Sequence, residues 1–271
     1  MTSPSQTPAP SADESAPPAW NARELAENPH ESREKAGKVR SMFAAIADSY
    51  DLNNRLHSFG RDQAWRRAAV RLAGVRPGDA VLDMACGTGD LSEAFAATEA
   101  REVVGGDFTP EMLDHARRKA ERLPEGRRPR YEHADAMRLE FEDASFDVVS
   151  IAFGIRNVSD PGVAIKEFAR VLRPGGRLVI LEFAEPRFAP IRWMNHLYTS
   201  RIMPWTASLV ARDGSGAYHY LPRSIETFLT PGQLAERMTA AGLQVERQVP
   251  MTFGVCVASV AVRPEDDSRT A

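Results

Sequence analysis

From Ala80 onward the chain alternates short apolar runs with longer helical patterns, and that alternation leaves few folds open. The runs are Ala80–Ala85, Glu102–Gly106, Arg130–Ala134, Phe146–Ala152 and Arg177–Phe183. Between them lie helical stretches at Asp90–Ala97, Pro110–Leu123 and Pro161–Leu172, the last ended by Pro174-Gly175-Gly176. Parallel strands need a crossover connection, usually a helix, and this spacing supplies one each time. Thr230-Pro231 opens a final helix to Ala241, and Leu243–Val249 and Val255–Val262 read as two closing strands. The expectation is an α/β fold: a doubly wound, seven-stranded, mostly parallel sheet with an N-terminal helical extension.

The extension shows in two stretches. Val39, Met42, Phe43, Ile46, Ala47 and Tyr50 recur with the spacing of one helix face. A second helix is predicted from Asp62, with Trp65, Ala68, Ala69 and Leu72 on one side and Gly74 as its stop. Met1–Pro18 is rich in Pro, Ser, Ala and Thr and lacks the apolar side chains that offset ordering entropy. The predicted organisation is therefore a weakly ordered tail over 1–31, a domain over 32–263 and a C-terminal tail over 264–271. Within the domain, 32–74 is a helical cap and 187–230 a substrate-covering insertion.

With 37 acidic and 34 basic side chains the net charge is −3, which argues against a dedicated nucleic-acid binder. Two cysteines are too few for a disulfide framework and fit a reducing compartment. The longest uncharged run, Gln248 to Val262, contains Pro250 and Gly254 and is shorter than the roughly 18 apolar residues of a spanning helix. No basic stretch followed by an apolar core marks the N-terminus as a secretory leader. A cytoplasmic protein is expected.

The chemistry starts where Val81-Leu82-Asp83-Met84-Ala85 runs into Cys86-Gly87-Thr88-Gly89-Asp90. A strand, a glycine-rich turn and a helix in that order form the place where open α/β sheets bind nucleotides. Gly87 and Gly89 let backbone approach a ligand, although a bare pair of glycines equally suits a tight turn. A dinucleotide site wants a third glycine and a helix N-terminus free for pyrophosphate; here the chain has Ser92 and Asp90. Asp107 ends the second run, where a carboxylate can grip both ribose hydroxyls, and Asp135-Ala136 ends the third, near an adenine position. Asp83, Asp90, Asp107 and Asp135 together suit a ligand carrying a sulfonium and an ammonium. S-adenosyl-L-methionine is the expected cofactor. Taken singly, Asp90 also reads as a helix cap, Asp135 as a turn residue, and Asp107 before Thr109-Pro110 as a helix entry.

At this point the sequence resembles the class I S-adenosylmethionine-dependent methyltransferases, and within them the ubiquinone/menaquinone biosynthesis C-methyltransferases. The resemblance runs from about Lys38 to Val262. It is carried by Val39-Arg40-Ser41-Met42-Phe43 with Ile46-Ala47, Tyr50-Asp51, Asn54, Ser58-Phe59-Gly60 and Trp65-Arg66, then by Phe153-Gly154-Ile155-Arg156-Asn157-Val158, Leu172-Arg173-Pro174-Gly175-Gly176 and Leu181-Glu182-Phe183. The N-terminal block and the Phe-Gly-Ile-Arg-Asn run are the more selective. It implies cofactor contacts at Thr88, Asp107 and the Asp135-Ala136 pair, with no metal. It also implies a serine where this chain has Ala152 and a glycine where it has Cys86; the thiol is not read as a nucleophile. The implied reaction is methylation of the quinol ring of demethylmenaquinol to menaquinol, with the ubiquinone-pathway benzoquinol as a further acceptor.

Carbon methylation needs a nucleophilic ring carbon, which an ionised quinol hydroxyl supplies, so the protein must position two reactants and stabilise an oxyanion. Arg156, just past the fourth strand, is the candidate for stabilising that oxygen or polarising a water; a structural ion pair is its alternative. Asn157 either orients the ring or closes a turn. His196, His219, Tyr50, Tyr198, Tyr218 and Tyr220 are all chemically able to take a proton, and none is preferred. Tyr50, Asn157 and Tyr218 are the substrate-contact candidates; Tyr218-His219-Tyr220-Leu221 resembles a Tyr-x-Tyr-Leu element of the family, and packing of the two tyrosines is the alternative role. The insertion Arg187–Arg212 carries Arg187, Arg192, Arg201 and Arg212 and no acid, among aromatic and aliphatic residues. Such a segment suits a prenyl-tailed substrate or peripheral contact with the inner face of an anionic membrane, and an ordinary packed lid is the alternative.

Four other functions compete. A soluble phenol or polyketide would change only the acceptor. A nucleic-acid amino-methyltransferase would place Asn or Asp before Pro-Pro where this chain has Ala152-Phe153-Gly154. A dinucleotide oxidoreductase is opposed by Ser92 and Asp90. A pericyclic or non-catalytic descendant would bind cofactor without turnover. A prenylated quinol is the expected partner, no nucleic acid is expected, and a homodimer is compatible with the sequence.

Overall fold

The computed structural model describes residues 19–21, 24–25, 27–202 and 217–265. The predicted tail over 1–18, Met203, Trp205, Leu209, Val210 and Arg212 of the insertion, and the tail beyond Glu265 lie outside the described residues.

Seven strands form one sheet: β1 Ala80–Met84, β2 Glu102–Asp107, β3 Arg130–His133, β4 Phe146–Ala152, β5 Leu172–Phe183, β6 Gln244–Met251 and β7 Cys256–Val262. Their order is β3-β2-β1-β4-β5-β7-β6. β7 runs antiparallel to both β5 and β6, and the other adjacent pairs are parallel. Order reverses between β1 and β4, so the carboxyl ends of those strands frame the crevice where open sheets hold ligands. β1 is buried throughout, as expected of a central strand covered on both faces.

Nine helices are described: α1 Lys35–Ile46, α2 Tyr50–His57, α3 Arg61–Ala73, α4 Asp90–Ala96, α5 Pro110–Ala120, α6 Pro161–Val171, α7 Ala189–Leu197, α8 Ala217–Glu226 and α9 Pro231–Ala240. Proline at the first turn starts α5, α6, α7 and α9, where a missing N–H costs nothing. Asp160 caps α6 by accepting from the Gly162 and Val163 amides, and Thr230 and Gln233 form a capping box on α9. Gly74 stops α3 in the left-handed region at φ 56°.

Two sequence expectations need correction. The Val39-to-Tyr50 face is not one helix: α1 ends at Ile46, a 3₁₀ turn spans Ala47–Ser49, and α2 starts at Tyr50. Pro174-Gly175-Gly176 does not stop α6, which ends at Val171; those residues lie inside β5. A β-carbon on Gly176 would come within 2.7 Å of the Arg173 carbonyl, so the glycine serves close backbone approach.

One core face packs β1, β4 and β5 against α6 and α9 through Leu82, Ile151, Phe168, Ile180 and Met238. The other packs the sheet against α3 and α4 through Trp65, Phe95, Val148 and Leu181. A third cluster ties the N-terminal segment to the cap: Trp20 is buried and stacks on Tyr220 at 4.9 Å. The segment assigned to a tail thus contributes Trp20 and Pro29 to the interior. Among the described residues, no helix is long and apolar enough to cross a membrane.

Candidate active site

Two hollows open above the carboxyl ends of the strands. The smaller, about 820 Å³, is lined by Gly87 of the glycine-rich turn, by Asp107, Phe108 and Thr109 after β2, by Asp135, Ala136 and Met137 after β3, and by Ala152 to Gly154 after β4. The larger, about 1160 Å³, lies between the α1–α3 cap and the α7–α8 insertion. Phe43, Tyr50 and Phe153 line both, so a group passing from one to the other passes these three rings.

The smaller hollow is organised by one carboxylate. Asp107 Oδ2 accepts from the Gly87 amide and Oδ1 from the Thr109 amide, each at 2.8 Å, so it braces the turn after β1 against the entry to α5. Burial raises its pKa, and the two backbone amides oppose that rise. Gly87, at φ +55°, leaves its face free where the Tyr50 ring approaches. Asp135 turns one oxygen to the Met137 amide at 2.8 Å, closing an Asx turn and presenting Ala136 and Met137 to the hollow. Carboxylates at two strand ends, beside an apolar slot of Phe108, Met112 and Met137, fit the ribose and adenine of an adenosyl group.

Of the four carboxylates expected around the ligand, only Asp107 and Asp135 reach the hollow. Asp83 lies beneath the turn, where Ser92 Oγ and Ser150 Oγ donate to it at 2.7 and 2.8 Å; burial pushes its pKa to about 6. Asp90 faces the cap, bound by Lys119 and by Gln63 at 2.8 Å. Cationic Lys119 is close enough to hold the Asp90 carboxyl below its usual value despite burial. Thr88 donates to Asp51, which Lys119 also binds at 2.9 Å, so Thr88 joins α2 to the turn and lines neither hollow. Gly89, at φ +88°, packs under Tyr131, whose hydroxyl a β-carbon there would overlap. The Cys86 thiol is buried and its pKa is driven up by that burial, consistent with an inert thiol.

In the larger hollow, Arg156 is not a free cation. Its Nη1 donates to Glu182 Oε1 at 2.8 Å and to the Phe153 carbonyl at 2.6 Å, with both charged side chains buried. Lys35 lies behind it, also buried, donating to the Val158 carbonyl at 2.6 Å; desolvation and Arg156 lower its pKa to about 8. Asn157 Oδ1 accepts from Tyr220 at 3.0 Å and its amide reaches the Phe153 carbonyl, so it anchors α8 as well as lining the smaller hollow. Tyr218 lies on α8, with its side chain outside the described residues.

Tyr50, Tyr198 and Tyr220 line the larger hollow, and burial raises each phenol, Tyr220 to about 12. They are hydrogen-bond donors at neutral pH, not ready bases. His196 and His219 are exposed and line neither hollow. Sequence reasoning did not assign the polar lining of the cap a role: Asn53, His57, Asp62 and Arg66 all face this hollow. Their convergence from α2 and α3 depends on the turn at 58–60 that joins the two helices.

The profile of the ubiE/COQ5 methyltransferase family matches residues 31–263. The chain is 46% identical to the demethylmenaquinone methyltransferase of Thermus thermophilus over 82% of its own length and 100% of that protein. It is 43% identical to the demethylmenaquinone methyltransferase of Deinococcus radiodurans, with 83% and 92% covered. Solved structures share the fold at lower identity. A putative methyltransferase complexed with the Haloferax volcanii Trm112 activator aligns at TM-score 0.59 and 22% identity, covering 82% of this chain and 98% of that one. An Aquifex aeolicus SAM-dependent methyltransferase aligns at 0.55 and 17%, covering 79% and 97%.

Proposed function

Since the chain belongs to the ubiE/COQ5 methyltransferase family, we propose that it transfers the methyl group of S-adenosylmethionine to a ring carbon of demethylmenaquinol, giving menaquinol. The observation that carries the reading is the pair of hollows meeting at Phe43, Tyr50 and Phe153. One is bounded by carboxylates at strand ends, and the other combines aromatic and aliphatic side chains with the polar residues of the cap.

S-adenosylmethionine, when bound, supplies an electrophilic methyl on a sulfonium. The reading assigns Gly87, Asp107, Asp135 and Ala136 to holding its adenosyl part. Thr88, Asp83 and Gly89 act indirectly, by fixing the turn that Gly87 presents. Tyr50 packs against that turn and closes the passage between the hollows, where it excludes water from the transfer. Phe153 and Phe183, with ring centroids 4.6 Å apart and planes tilted by 35°, give the acceptor ring an apolar wall. Arg156, neutralised by Glu182, holds the Phe153 carbonyl and so sets the position of that wall; Asn157 and Tyr220 fix α8 on the opposite side. Ala152 leaves the hollow without the hydroxyl expected there.

A lipid-tailed acceptor needs an apolar entrance. α7 buries none of its side chains; Asn195 faces the larger hollow, while Trp193 is 68% exposed and Met194 60%. Phe188 before it and Phe59 beside Tyr198 are also exposed, and Arg187, Arg192 and Arg201 accompany them. That combination supports peripheral contact with an anionic membrane at the acceptor mouth.

The test is mass spectrometry after incubating the protein with S-adenosylmethionine and chemically reduced demethylmenaquinol carrying a short prenyl tail. Ring methylation of the reduced but not the oxidised substrate is expected. Methylation of soluble phenols alone would overturn the quinol acceptor.

A further inference from the structure

Arg66 lies on α3 and lines the larger hollow, and its side chain is buried, 9% remaining exposed. Among the described residues its guanidinium makes no hydrogen bond, and its Nε is buried without a partner. The nearest carboxylate, Asp62 Oδ2, is 4.0 Å away, and Asp62 is already occupied by Ser58 Oγ at 2.8 Å and Gln63 at 3.0 Å. A buried charge with unmet donors is costly, and folded proteins normally pair it or neutralise it. Arg66 cannot neutralise itself, because a guanidinium does not lose its proton near neutrality, and Asp62 at 4.0 Å offsets its charge without satisfying its donors. Its donors are therefore left for something that enters the hollow.

The location narrows what that is. The guanidinium carbon sits 5.3 Å from the Phe153 ring, one of the three side chains shared by both hollows. Tyr50, on α2, is another, and Arg66 is the foremost cation opposing the rise of its pKa. The other ionisable groups facing Arg66 are Asp62 on its own helix, Asp83 on β1, Asp90 on α4 and Cys256 on β7. Each carboxylate among them is held by other donors. Arg156, the other cation in the hollow, already has Glu182 at 2.8 Å.

We infer that Arg66 is the catalytic cation of the acceptor site, donating to the ring oxygen of the quinol as that oxygen becomes anionic. The inference rests on reading the larger hollow as the acceptor site. The quinol hydroxyl gives its proton to water, and Arg66 stabilises the resulting phenolate. The ring carbon activated by that oxygen forms a bond to the methyl carbon, and the breaking carbon–sulfur bond leaves its electron pair on sulfur. The methylated carbon then loses its hydrogen as a proton and the oxygen regains one, so one proton is released overall.

The test separates charge stabilisation from structure by reading the ionisation of a bound phenol. 4-Methoxy-1-naphthol, whose naphtholate absorbs at longer wavelength, is titrated against the full-length protein with S-adenosylhomocysteine present. Wild type, Arg66→Lys, Arg66→Met and Arg156→Lys are compared, with thermal melting and S-adenosylhomocysteine affinity as checks on the fold. A nearby guanidinium is expected to lower the bound naphthol's pKa by about 1–3 units, and Arg66→Met to restore most of that. Arg66→Lys keeps the charge without the fork and falls between the two, which carries the test if the methionine variant is unstable. In turnover, Arg66→Met loses about tenfold or more in kcat, with the acid limb of the pH profile moved upward and KM little changed. An unchanged naphthol pKa in both Arg66 variants overturns the inference alone. Failure of wild type to bind any naphthol overturns the acceptor reading beneath it.

Discussion

The guanidinium of Arg156 lies 2.8 Å from Glu182 Oε1 with both side chains buried, tying the turn after β4 to the end of β5. Breaking such a pair leaves one charge stranded in a poorly solvated place. Arg156→Ala or Glu182→Leu alone is expected to cost about 3–5 kcal/mol of unfolding free energy. An Arg156→Met/Glu182→Leu double variant should recover much of that loss, because no charge is left behind. Urea denaturation of all three measures it; equal losses in the single and double variants would refute the coupling. Lost activity in Arg156→Ala is thus expected to follow lost fold before lost chemistry.

Asp83 makes stability depend on pH in an unusual direction. Its pKa rises from an ordinary 3.8 to about 6, first through burial, with the Ser92 and Ser150 hydroxyls opposing. The folded state therefore keeps a proton that the unfolded chain has released. Its favourable contribution is complete below about pH 4 and disappears as pH rises through about 6. Asp83→Asn cannot ionise, so its stability relative to wild type should improve by about 2–3 kcal/mol between pH 4 and pH 7. Paired urea titrations at several pH values check this, and a constant difference would show that Asp83 does not titrate there.

Asp107 holds two backbone amides at once, Gly87 and Thr109. Asp107→Ala frees both, and Asp107→Asn keeps an oxygen for only one. Cofactor affinity by isothermal titration is expected to fall about tenfold for asparagine and further for alanine, since each lost charge-assisted bond costs about 1.5–3 kcal/mol. Unaltered affinity in the alanine variant would remove Asp107 from the cofactor site.

The sheet was readable because its central strands β1, β4 and β5 carry short apolar runs between turn residues, a signal local to the run. Pro174-Gly175-Gly176 misled for the same reason: turn chemistry is local, whereas the pairing of β5 with β4 and β7 that absorbs those residues is not. Asp107, Asp135 and Ala136 reach the smaller hollow because strand ends are fixed by the fold class. Asp90 was misplaced because Lys119, far along the chain, turns it towards the cap. Asn53 and Arg66 are polar residues on α2 and α3, whose relative angle is set by the turn at 58–60, and no periodicity reports that angle. Trp20 sits in a polar, proline-rich context and gains its burial from residues far along the chain, among them Tyr220, some two hundred residues later.

Exposed aromatic side chains around the acceptor mouth give the last expectation. Trp193 and Phe188 are 68% and 64% exposed, so replacing both with serine removes little internal packing and should leave melting and S-adenosylhomocysteine binding unchanged. If the α7 face meets a bilayer, that double variant loses about tenfold or more in partitioning to mixed phosphatidylglycerol and phosphatidylcholine vesicles, because two large side chains no longer enter the interface. Wild-type partitioning should weaken in high salt and in pure phosphatidylcholine, since Arg187, Arg192 and Arg201 contribute through anionic lipid. Turnover of a long-tailed quinol presented in vesicles should fall with partitioning, while a short-tailed quinol in solution is methylated at the wild-type rate. Vesicle binding that is indifferent to both the serine substitutions and lipid charge would place the entrance elsewhere.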